Sequence, residues 1–363
     1  MKPHIFSFFT GAGFLDLGFE DEGFETVFAN EIYPPFVRAY EFSRTIRGLL
    51  PLRYGVLVDS IEAMTKKQNL HDLKRNVKNS QNLGALVGFI GGPPCPDFSI
   101  AGKNRGSEGE NGKLSKTYVD LIINAKPDFF LFENVKGLYR TKKHREFFES
   151  AKTLLEKGGY ALEEKLINSL EYGAPQDRER IILLGIRKVG VKNFLKEGDW
   201  VEETCFSMEQ IQQMKWPDQS PIKLTRMKPK DIDETLTVQY WFDKNSVTTH
   251  PNQKHAFTPR AGLARFESVF EGDVSRKSYK RLHRWRYSPT AAYGNNEVHI
   301  HPYFPRRISA AEALAIQSLP ANYEFPQDMT LSAMFKAIGN GVPYVAARGI
   351  AKMYMKALKK EFK

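Results

Sequence analysis

One cysteine stands in a turn whose composition would hold its thiol in a fixed position. Residues 91–99 read Gly-Gly-Pro-Pro-Cys-Pro-Asp-Phe-Ser and directly follow an apolar run. Two glycines and two prolines predict a sharp, stiff turn at the end of a strand. A cysteine that only fills space usually stands within an apolar run. We therefore predict that Cys95 is a nucleophile, activated by a nearby positive charge or helix N-terminus that favours its thiolate.

Two other segments place charged side chains where they would meet that thiol. Glu133 starts a Glu-Asn-Val segment at the end of an apolar run, and its carboxyl group would face the Cys95 turn from a neighbouring strand. A segment that reads Gln-Asp-Arg-Glu-Arg opens a later apolar run. Alternate residues of a strand share a face, so Gln176, Arg178 and Arg180 would point together toward the cleft. A helix-capping acid and a solvated charged edge remain the alternatives.

A glycine-containing turn follows the first apolar run and suggests a ligand site. Residues 9–13 read Phe-Thr-Gly-Ala-Gly, and glycine lets the backbone approach a bound ligand closely. Glu31 follows the second apolar run, where an acid accepts hydrogen bonds from ribose hydroxyls. The turn lacks the three-glycine phosphate-binding pattern, which favours a ligand without phosphates over NAD. A purely structural turn is the alternative.

The elements that position these residues form an α/β pattern. Short apolar runs, interpreted as strands, occupy residues 4–9, 25–29, 54–58, 86–90, 129–132 and 181–186, and helical patterns separate them, as at 34–42. Such alternation predicts a doubly wound, mostly parallel sheet. Ligands bind beyond the carboxyl ends of the strands in such sheets, which is where Glu31, Asp59, Cys95 and Glu133 stand.

The second half of the chain has a different pattern. The alternation fades between residues 188 and 290, where basic and aromatic residues mix with prolines, and we predict a second domain there. Ser309 with Glu312 forms a capping-box pattern that begins a helix over 309–318. A last helix is predicted over 343–360, since Pro343 suits a first helical position.

Composition bounds the class of protein and its partners. The 363 residues carry a net charge of +11, which favours a polyanion such as nucleic acid, although an unspecialised basic surface gives the same charge. Cys95 and Cys205 form no disulfide framework, which fits a reducing compartment. His299 and His301 lack further ligands nearby, so no metal is expected. Without a signal pattern or an apolar run of about 20 residues, we expect a soluble, cytoplasmic protein.

Taken in chain order, these segments resemble the DNA cytosine-5 methyltransferase family, of the bacterial restriction–modification type. The match leaves out only about 189–285. The matching segments are Phe-x-Gly-x-Gly at 9–13, Glu31, Asp59, Pro-Cys at 94–95, Glu-Asn-Val at 133–135, Gln-x-Arg-x-Arg at 176–180, Arg-Ile-Ser at 307–309 with Glu312, Gln-Ser-Leu-Pro at 317–320 and Gly-Asn-Gly-Val-Pro at 339–343. The chain departs from the family at Pro96, usually Gln, and at Phe14, usually Gly.

The resemblance implies a Rossmann-like fold, a domain division and a reaction. Residues 1–188 with 335–363 would form the catalytic and cofactor-binding domain, and 189–334 the smaller target-recognition domain. Cys95 would add to carbon 6 of cytosine, Glu133 would hold or protonate N3, and Arg180 would hold O2, with Arg178 supporting the Glu133 side. S-adenosylmethionine would donate the methyl group. Its expected contacts are Phe9, Gly11, Gly13, Glu31, Asp59, Pro94, Asn340 and Val342.

The resemblance also implies double-stranded DNA as the partner. The target cytosine must leave the duplex to be reached, so residues 100–114 are interpreted as a lid that orders on DNA. Phosphates or base edges would be contacted by Lys103, Arg105, Arg281, Arg284 and Arg286. We expect a monomer without a metal, and a restriction endonuclease as a genetic rather than physical partner.

Four alternatives were weighed against this interpretation. A tRNA cytosine-5 methyltransferase shares these motifs, but a variable region of about 100 residues suits reading of duplex DNA. A catalytically silent DNA-binding relative conflicts with intact Cys95, Glu133 and Arg180. An amino-methyltransferase would need Asp/Asn-Pro-Pro-aromatic, whereas Pro94 is followed by cysteine. A cysteine hydrolase would need a histidine base, and none lies in these motifs.

Overall fold

A computed structural model describes most of the chain, namely residues 2–94, 110–222, 227–258, 263–276, 278–293 and 297–362. Three of the residues predicted to act on DNA, Cys95, Lys103 and Arg105, lie outside these ranges, as does most of the predicted lid. No helix within the described ranges is long and apolar enough to cross a membrane.

The core of the fold is a seven-stranded sheet with strand order β3-β2-β1-β4-β5-β7-β6. Strands β1 to β5 are parallel where they pair, whereas β7 runs antiparallel to both β5 and β6. The strands are β1 His4–Phe8, β2 Glu25–Asn30, β3 Val56–Leu57, β4 Val87–Gly91, β5 Phe129–Val135, β6 Ala161–Asn168 and β7 Glu179–Ile186. The predicted α/β class with a mostly parallel sheet is confirmed.

Two details of the strand prediction were wrong. Strand β6 was not predicted, because its Ala-Leu-Glu-Glu-Lys-Leu-Ile-Asn sequence has no apolar run and most of it is only half-buried at the sheet edge. Strand β7 begins at Glu179, so Gln176 and Arg178 precede the strand rather than alternate along it.

The helices of the described ranges cover both faces of the sheet and build the C-terminal region. They are α1 Phe14–Asp21, α2 Pro34–Ile46, α3 Lys67–Asn82, α4 Glu110–Ala125, α5 Lys142–Lys157, α6 Glu197–Glu202, α7 Met208–Gln213, α8 Val238–Lys244, α9 Leu263–Ser268, α10 Ala310–Ile316, α11 Leu331–Asn340 and α12 Tyr344–Glu361. The predicted capping box is confirmed, since Ser309 and Glu312 bond to each other's backbone N–H at the start of α10. The last helix begins directly after Pro343, close to the prediction.

Successive side chains of a strand point to opposite faces, and both faces of this sheet are packed. Phe6 belongs to the apolar cluster that α3, α4 and α5 complete, whereas Ile5 belongs to the cluster on the other face with α1 and α12. A third cluster joins α1 and α2 to α8, α10 and α11. Because residues from both predicted domains enter this third cluster, and position 335 falls inside α11, the domain division stays a prediction.

The sheet is packed too closely for some glycines to be replaced, and Gly88 in β4 gives a test. A Cβ at this position would lie 2.1 Å from the Phe129 ring of the neighbouring strand β5. Over-packing of this kind costs about 1–3 kcal/mol, so Gly88→Ala should lower the urea midpoint of unfolding accordingly. Gly198→Ala in α6 is the control, because its Cβ would meet nothing within 4 Å. Equal midpoints for the two variants would contradict the packing described for β4 and β5.

Candidate active site

The turn that leads into Cys95 packs directly against the end of β5. Asn134 donates from Nδ2 to the Pro93 carbonyl at 3.4 Å, and a Cβ at Gly92 would lie 2.6 Å from Glu133 Oε2. Position 92 therefore has room only for glycine while the carboxyl group of Glu133 stays where it is. The described chain enters this turn as far as Pro94, so the residue next in sequence, Cys95, follows a turn already in contact with Glu133.

The carboxylate of Glu133 forms an ion pair with Arg180. Arg180 Nε lies 2.8 Å from Glu133 Oε1, and the two side chains are only 13% and 12% exposed. Strand register explains the meeting, because Val135 near the end of β5 pairs with Arg180 near the start of antiparallel β7. Arg180 also donates from Nη1 to the Glu179 carbonyl at 2.7 Å. An acid and a guanidinium held together beside the cysteine turn can bind the two sides of a planar polar ring.

The predicted place of Gln176 and Arg178 in the cleft was wrong. Arg178 is 2% exposed and donates to the carbonyls of Gly339 at 3.0 Å and Ala291 at 3.4 Å. Burial, reinforced by the charge of Arg180, lowers the pKa of Arg178 well below its usual value. Gln176 is fully buried and accepts a hydrogen bond from the backbone N–H of Ala291 at 3.0 Å. These two side chains hold the variable region and the C-terminal segment to the catalytic sheet.

The glycine-containing turn carries backbone conformations that L side chains rarely adopt. Gly11 has φ +58° and a Cβ there would meet nothing within 4 Å, so open space lies above it. Gly13 has φ +82° and a Cβ there would lie 2.3 Å from the Tyr40 ring. Phe9 is also left-handed, with φ 55°. The turn therefore presents bare backbone to open space at the end of β1.

Glu31 ties this turn to the end of β2. Its carboxylate accepts hydrogen bonds from Gly11 N at 3.0 Å and from Tyr33 N at 2.9 Å, while burial raises the pKa of Glu31. Two apolar side chains at the same strand ends are exposed to solvent, Ile32 by 62% and Val58 by 48%. A buried acid flanked by exposed apolar groups suits a nucleoside, whose ribose hydroxyls donate and whose base is flat and apolar.

Asp59 follows β3 at the same edge. Asn30 at the end of β2 donates from Nδ2 to the carbonyls of Leu57 at 3.1 Å and Asp59 at 2.8 Å, and these bonds hold the ends of β2 and β3 together. The Asp59 carboxylate accepts a hydrogen bond from Ser60 N at 2.7 Å.

The C-terminal segment returns to the glycine-containing turn. A Cβ at Gly341 would lie 2.1 Å from the Phe14 ring, and Tyr323 donates from its hydroxyl to the Ala12 carbonyl at 2.7 Å. Phe14 also meets Tyr323 edge to face, with ring centroids 5.2 Å apart. Where the family usually has glycine, Phe14 thus fills space against a glycine of the returning segment. Of the predicted cofactor contacts there, Asn340 is exposed and Val342 is buried in the core.

Sequence reasoning missed Asp16, a buried residue whose side chain stabilises the glycine-containing turn. This buried carboxylate accepts hydrogen bonds from Ser7 Oγ at 2.7 Å and Thr10 Oγ1 at 2.5 Å, on either side of Phe9. Burial raises the pKa of Asp16 to about 6. The acid lies in the first turn of α1, where an amphipathic pattern alone does not distinguish a buried acid from an exposed one.

Two of the three arginines predicted to contact DNA from the variable region are occupied within the protein. Arg281 is fully buried and its guanidinium donates to several backbone carbonyls, among them Val269 at 2.8 Å and Phe304 at 2.9 Å. Arg284 donates from Nε and Nη2 to the buried carboxylate of Glu271, at 2.8 Å each. As DNA contacts these two predictions are not supported, because the guanidinium groups already have partners. Arg286 is exposed and stays a prediction.

The two histidines considered as metal ligands point into the protein. Burial lowers the pKa of His299 to about 3 and that of His301 to about 2. Among the described residues no group of three or more His, Cys, Asp or Glu side chains is placed to hold a metal ion.

Comparisons with known proteins agree on one family. The sequence profile of C-5 cytosine-specific DNA methylases matches residues 4–356. The chain is 59% identical over 350 residues to the type II methyltransferase M.NmeDI of Neisseria meningitidis serogroup C, covering 96% of this chain and 83% of the relative. It is 28% identical to the type II methyltransferase M.FnuDI of Fusobacterium nucleatum, covering 98% of this chain and 94% of the relative.

Solved structures share the fold. A DNA modification methyltransferase encoded within an E. coli prophage superposes with a TM-score of 0.65 at 22% identity, covering 99% of this chain and all of that one. The S. pombe Dnmt2 methyltransferase superposes with a TM-score of 0.60 at 12% identity, covering 99% of both chains.

The buried carboxyl group of Asp16 predicts a pH-dependent difference in stability. Because the pKa of Asp16 in the folded chain, about 6, lies above the usual aspartate value of 3.8, the folded state binds the proton more tightly than the unfolded state. The resulting stabilisation is present below about pH 4 and is lost as pH rises through about 6. The free energy of unfolding of the native chain minus that of Asp16→Asn should therefore fall by about 2 kcal/mol between pH 4 and pH 7.

Urea unfolding at a series of pH values measures this difference. Asp120→Asn, on the half-exposed side of α4 where the carboxylate pairs with Lys116, is the matched control for the loss of an aspartate outside the core. A difference for Asp16→Asn that stays constant with pH, or rises with it, would be inconsistent with a buried carboxyl group of raised pKa.

Proposed function

The chain belongs to the C-5 cytosine-specific DNA methylase family and is a DNA cytosine-5 methyltransferase, and from this premise we propose that Cys95 bonds transiently to carbon 6 of the target cytosine. The observation that carries the proposal is the contact between the cysteine turn and the Glu133–Arg180 pair. The nucleophile Cys95, the acid Glu133 and the cation Arg180 would then face the same cytosine at the carboxyl edge of the sheet, where ligands bind in such folds.

We infer that S-adenosylmethionine binds at the ends of β1, β2 and β3. When bound, this cofactor supplies an electrophilic methyl group on a sulfonium sulfur. Glu31 would hold the ribose hydroxyls, Ile32 and Val58 would cover the adenine ring, and Asp59 would accept from the adenine amino group. The open space above Gly11 and the exposed apolar pair beside a buried acid support this fit. The other proposed contacts are Phe9, Gly13, Pro94, Asn340 and Val342.

Covalent addition solves the chemical problem that carbon 5 of cytosine is a poor nucleophile. The Cys95 thiolate forms a bond to carbon 6, and the electrons of the 5,6 double bond move into the ring toward N3. Glu133 donates a hydrogen bond or proton at N3, which neutralises the charge that develops there and leaves carbon 5 enamine-like. Carbon 5 would then bond to the methyl group as its bond to the sulfonium sulfur breaks. Removal of the carbon 5 proton by a base and return of any N3 proton to Glu133 would let the carbon–sulfur bond break and release Cys95 as thiolate.

Arg180 is proposed to hold the cytosine O2. Its Nε lies 2.8 Å from Glu133 Oε1 in the ion pair, and its Nη1 donates to the Glu179 carbonyl at 2.7 Å, which leaves further N–H groups of the guanidinium for a ligand. The ion pair with Glu133 fixes the plane of the guanidinium, so that the remaining N–H groups already have a fixed direction. Arg180 would therefore lose little additional rotamer freedom when it binds the cytosine. Arg178 is proposed to act indirectly, since it fixes the backbone that carries Arg180.

The substrate is proposed to be a specific sequence in double-stranded DNA. Because carbon 6 cannot be reached inside a duplex, the cytosine must be turned out of the helix, at a cost of a few kcal/mol. The names of the relatives, which are both type II methyltransferases, support sequence specificity and a restriction endonuclease as genetic partner. Residues 189–334 would read the sequence, Arg286 among them, while Lys103 and Arg105 would contact phosphates.

The proposed nucleophile is tested by substitution and by trapping. Cys95→Ser should lower methyl transfer at least about 10³-fold, because the hydroxyl is a far weaker nucleophile, while binding of S-adenosylmethionine is retained. DNA with 5-fluorocytosine at the methylated site should become covalently attached to the native enzyme, measured on a denaturing gel. Cys205→Ser is the control and should be trapped normally, since Cys205 is exposed and is not among the residues of the proposed site.

The methylated sequence is found by bisulfite sequencing of a plasmid from cells that express the gene. Failure to trap the fluorinated DNA, or full activity of Cys95→Ser, would refute the covalent step. Methyl groups found on tRNA alone would refute the DNA substrate.

The carboxyl group of Glu133 is tested separately. Glu133→Gln keeps the shape of the side chain but removes its charge and its proton transfer, so the kcat should fall about 10²- to 10⁴-fold. Cofactor affinity, measured by equilibrium binding, should stay within about twofold, because Glu133 lies on the cytosine side of the site. Glu197→Gln, an exposed acid at the start of α6, is the control. Normal turnover by Glu133→Gln would rule out the proposed role at N3.

A further inference from the structure

The ten residues that follow β5 carry a concentration of positive charge that the proposed chemistry does not use. Residues 136–145 read Lys-Gly-Leu-Tyr-Arg-Thr-Lys-Lys-His-Arg, with five lysines or arginines and no acid. We call this segment the basic rim. It comprises a 3-10 turn over Lys136–Tyr139 and the beginning of α5.

The basic rim begins beside the catalytic ion pair. Strand β5 ends at Val135, which pairs with Arg180 across the sheet. The next residue, Lys136, forms an ion pair at 2.7 Å with Glu179, the neighbour of Arg180 in β7. The rim is therefore joined by consecutive residues to the place where the target base must bind.

Local contacts hold the rim at the carboxyl edge of the sheet. Leu138 is fully buried, and His144, also buried, approaches the Gly137 carbonyl with Nδ1 at 3.3 Å. Arg145 donates from Nη2 to the Tyr139 carbonyl at 3.2 Å. Helix α5 then runs back along the sheet, with Phe148 in the core. The first turn of α5 thus lies at the same edge as Glu133, and the rim is a fixed part of the surface.

Lys136 is paired with Glu179, whereas the positive charges of Arg140 and Lys142 are little neutralised by acidic side chains. Arg140 is exposed and makes no ion pair with a described residue, and Lys142, 92% exposed, has only Glu146 at 3.9 Å. The basic face of α12 differs, because Lys352 and Lys356 both pair closely with Glu203, at 2.8 Å and 2.5 Å. Excess positive charge beside the base-binding site matches the negative charge of a nucleic acid backbone.

We propose that the basic rim, residues 136–145, binds the phosphates of the duplex that flank the extruded cytosine. The inference rests on the proposed function, since the duplex must lie against the edge of the sheet from which Glu133 and Arg180 reach the base. The exposed ends of Arg140 and Lys142 supply the main cations, exposed Lys143 lies beside them in the sequence, and the N-terminus of α5 adds partial positive charge next to them. The contacts hold the DNA in position and read no sequence.

The test compares two triple substitutions with the same change in charge. The rim variant is Arg140→Gln with Lys142→Gln and Lys143→Gln. The control variant is Lys126→Gln with Lys157→Gln and Lys192→Gln, all exposed and at the opposite edge, where β5 begins and where α5 and β7 have ended. Any general effect of net charge on DNA affinity appears equally in both variants.

Binding of a duplex that contains the methylated sequence is measured over a series of salt concentrations. Each phosphate contact contributes about 0.9 to the slope of log K against log salt, so the rim variant should lose about 2–3 from the magnitude of that slope. Its KM for DNA should rise on the order of tenfold at moderate salt. Its kcat at saturating DNA and its cofactor affinity should stay within about twofold of the native values. The control variant should keep the native slope.

The outcomes separate this inference from the proposed function. A native enzyme that methylates DNA, with rim and control variants of equal salt slope, would overturn the rim as a binding surface. A native enzyme that methylates no DNA would overturn the proposed function instead. If the triple variant unfolds, which circular dichroism detects, the single variants Arg140→Gln and Lys142→Gln give the same test, with an expected loss of about 1 in slope each.

Discussion

The ion pair between Glu133 and Arg180 depends on one unusual feature of the sheet. In a wholly parallel sheet the beginning of a strand lies at the edge away from the ligands. Because β7 runs antiparallel to β5, its beginning lies at the ligand edge, and Arg180 meets Glu133 there at 2.8 Å. The described part of the turn that leads into Cys95, the proposed cytosine site and the basic rim are all arranged around this contact, since β4, β5 and β7 are neighbours in the sheet.

Much of the fold was predictable because buried parallel strands consist of short runs of apolar residues. The residues of β1, β4 and β5 are nearly all buried, and their ends coincide with glycine or polar residues that sequence reasoning recognised. Strand β6 was not predicted, because it lies at the edge of the sheet and has a neighbouring strand on one side alone. Charged residues such as Glu163, Glu164 and Lys165 can therefore occupy its middle. The direction of β7 could not be predicted from the sequence either, since the direction of a strand depends on tertiary pairing and not on its hydrophobic pattern.

The site was predictable where a residue acts from the end of a strand, and less so where burial decides its role. Glu133 and Arg180 lie together because β7 runs antiparallel to β5, and not because residues 176–180 alternate along a strand. Arg178 and Arg281 carry the same side chain but lie inside the protein, bonded to carbonyls that are distant in sequence. Residue type shows that a guanidinium is charged, but whether backbone oxygen atoms or DNA neutralise it depends on contacts that no local pattern contains. Asp16 was missed for the same reason.

The hydrogen bond from Tyr323 to Ala12 joins residues 311 positions apart. During synthesis on the ribosome the glycine-containing turn emerges early, whereas Phe14 lacks its packing partners until Tyr323 and Gly341 have been added. Helix α12, which covers α1, is made later still. The growing chain should therefore be unable to retain the proposed cofactor until Tyr323, Gly341 and α12 have been added, so that methylation begins only after these residues have been made.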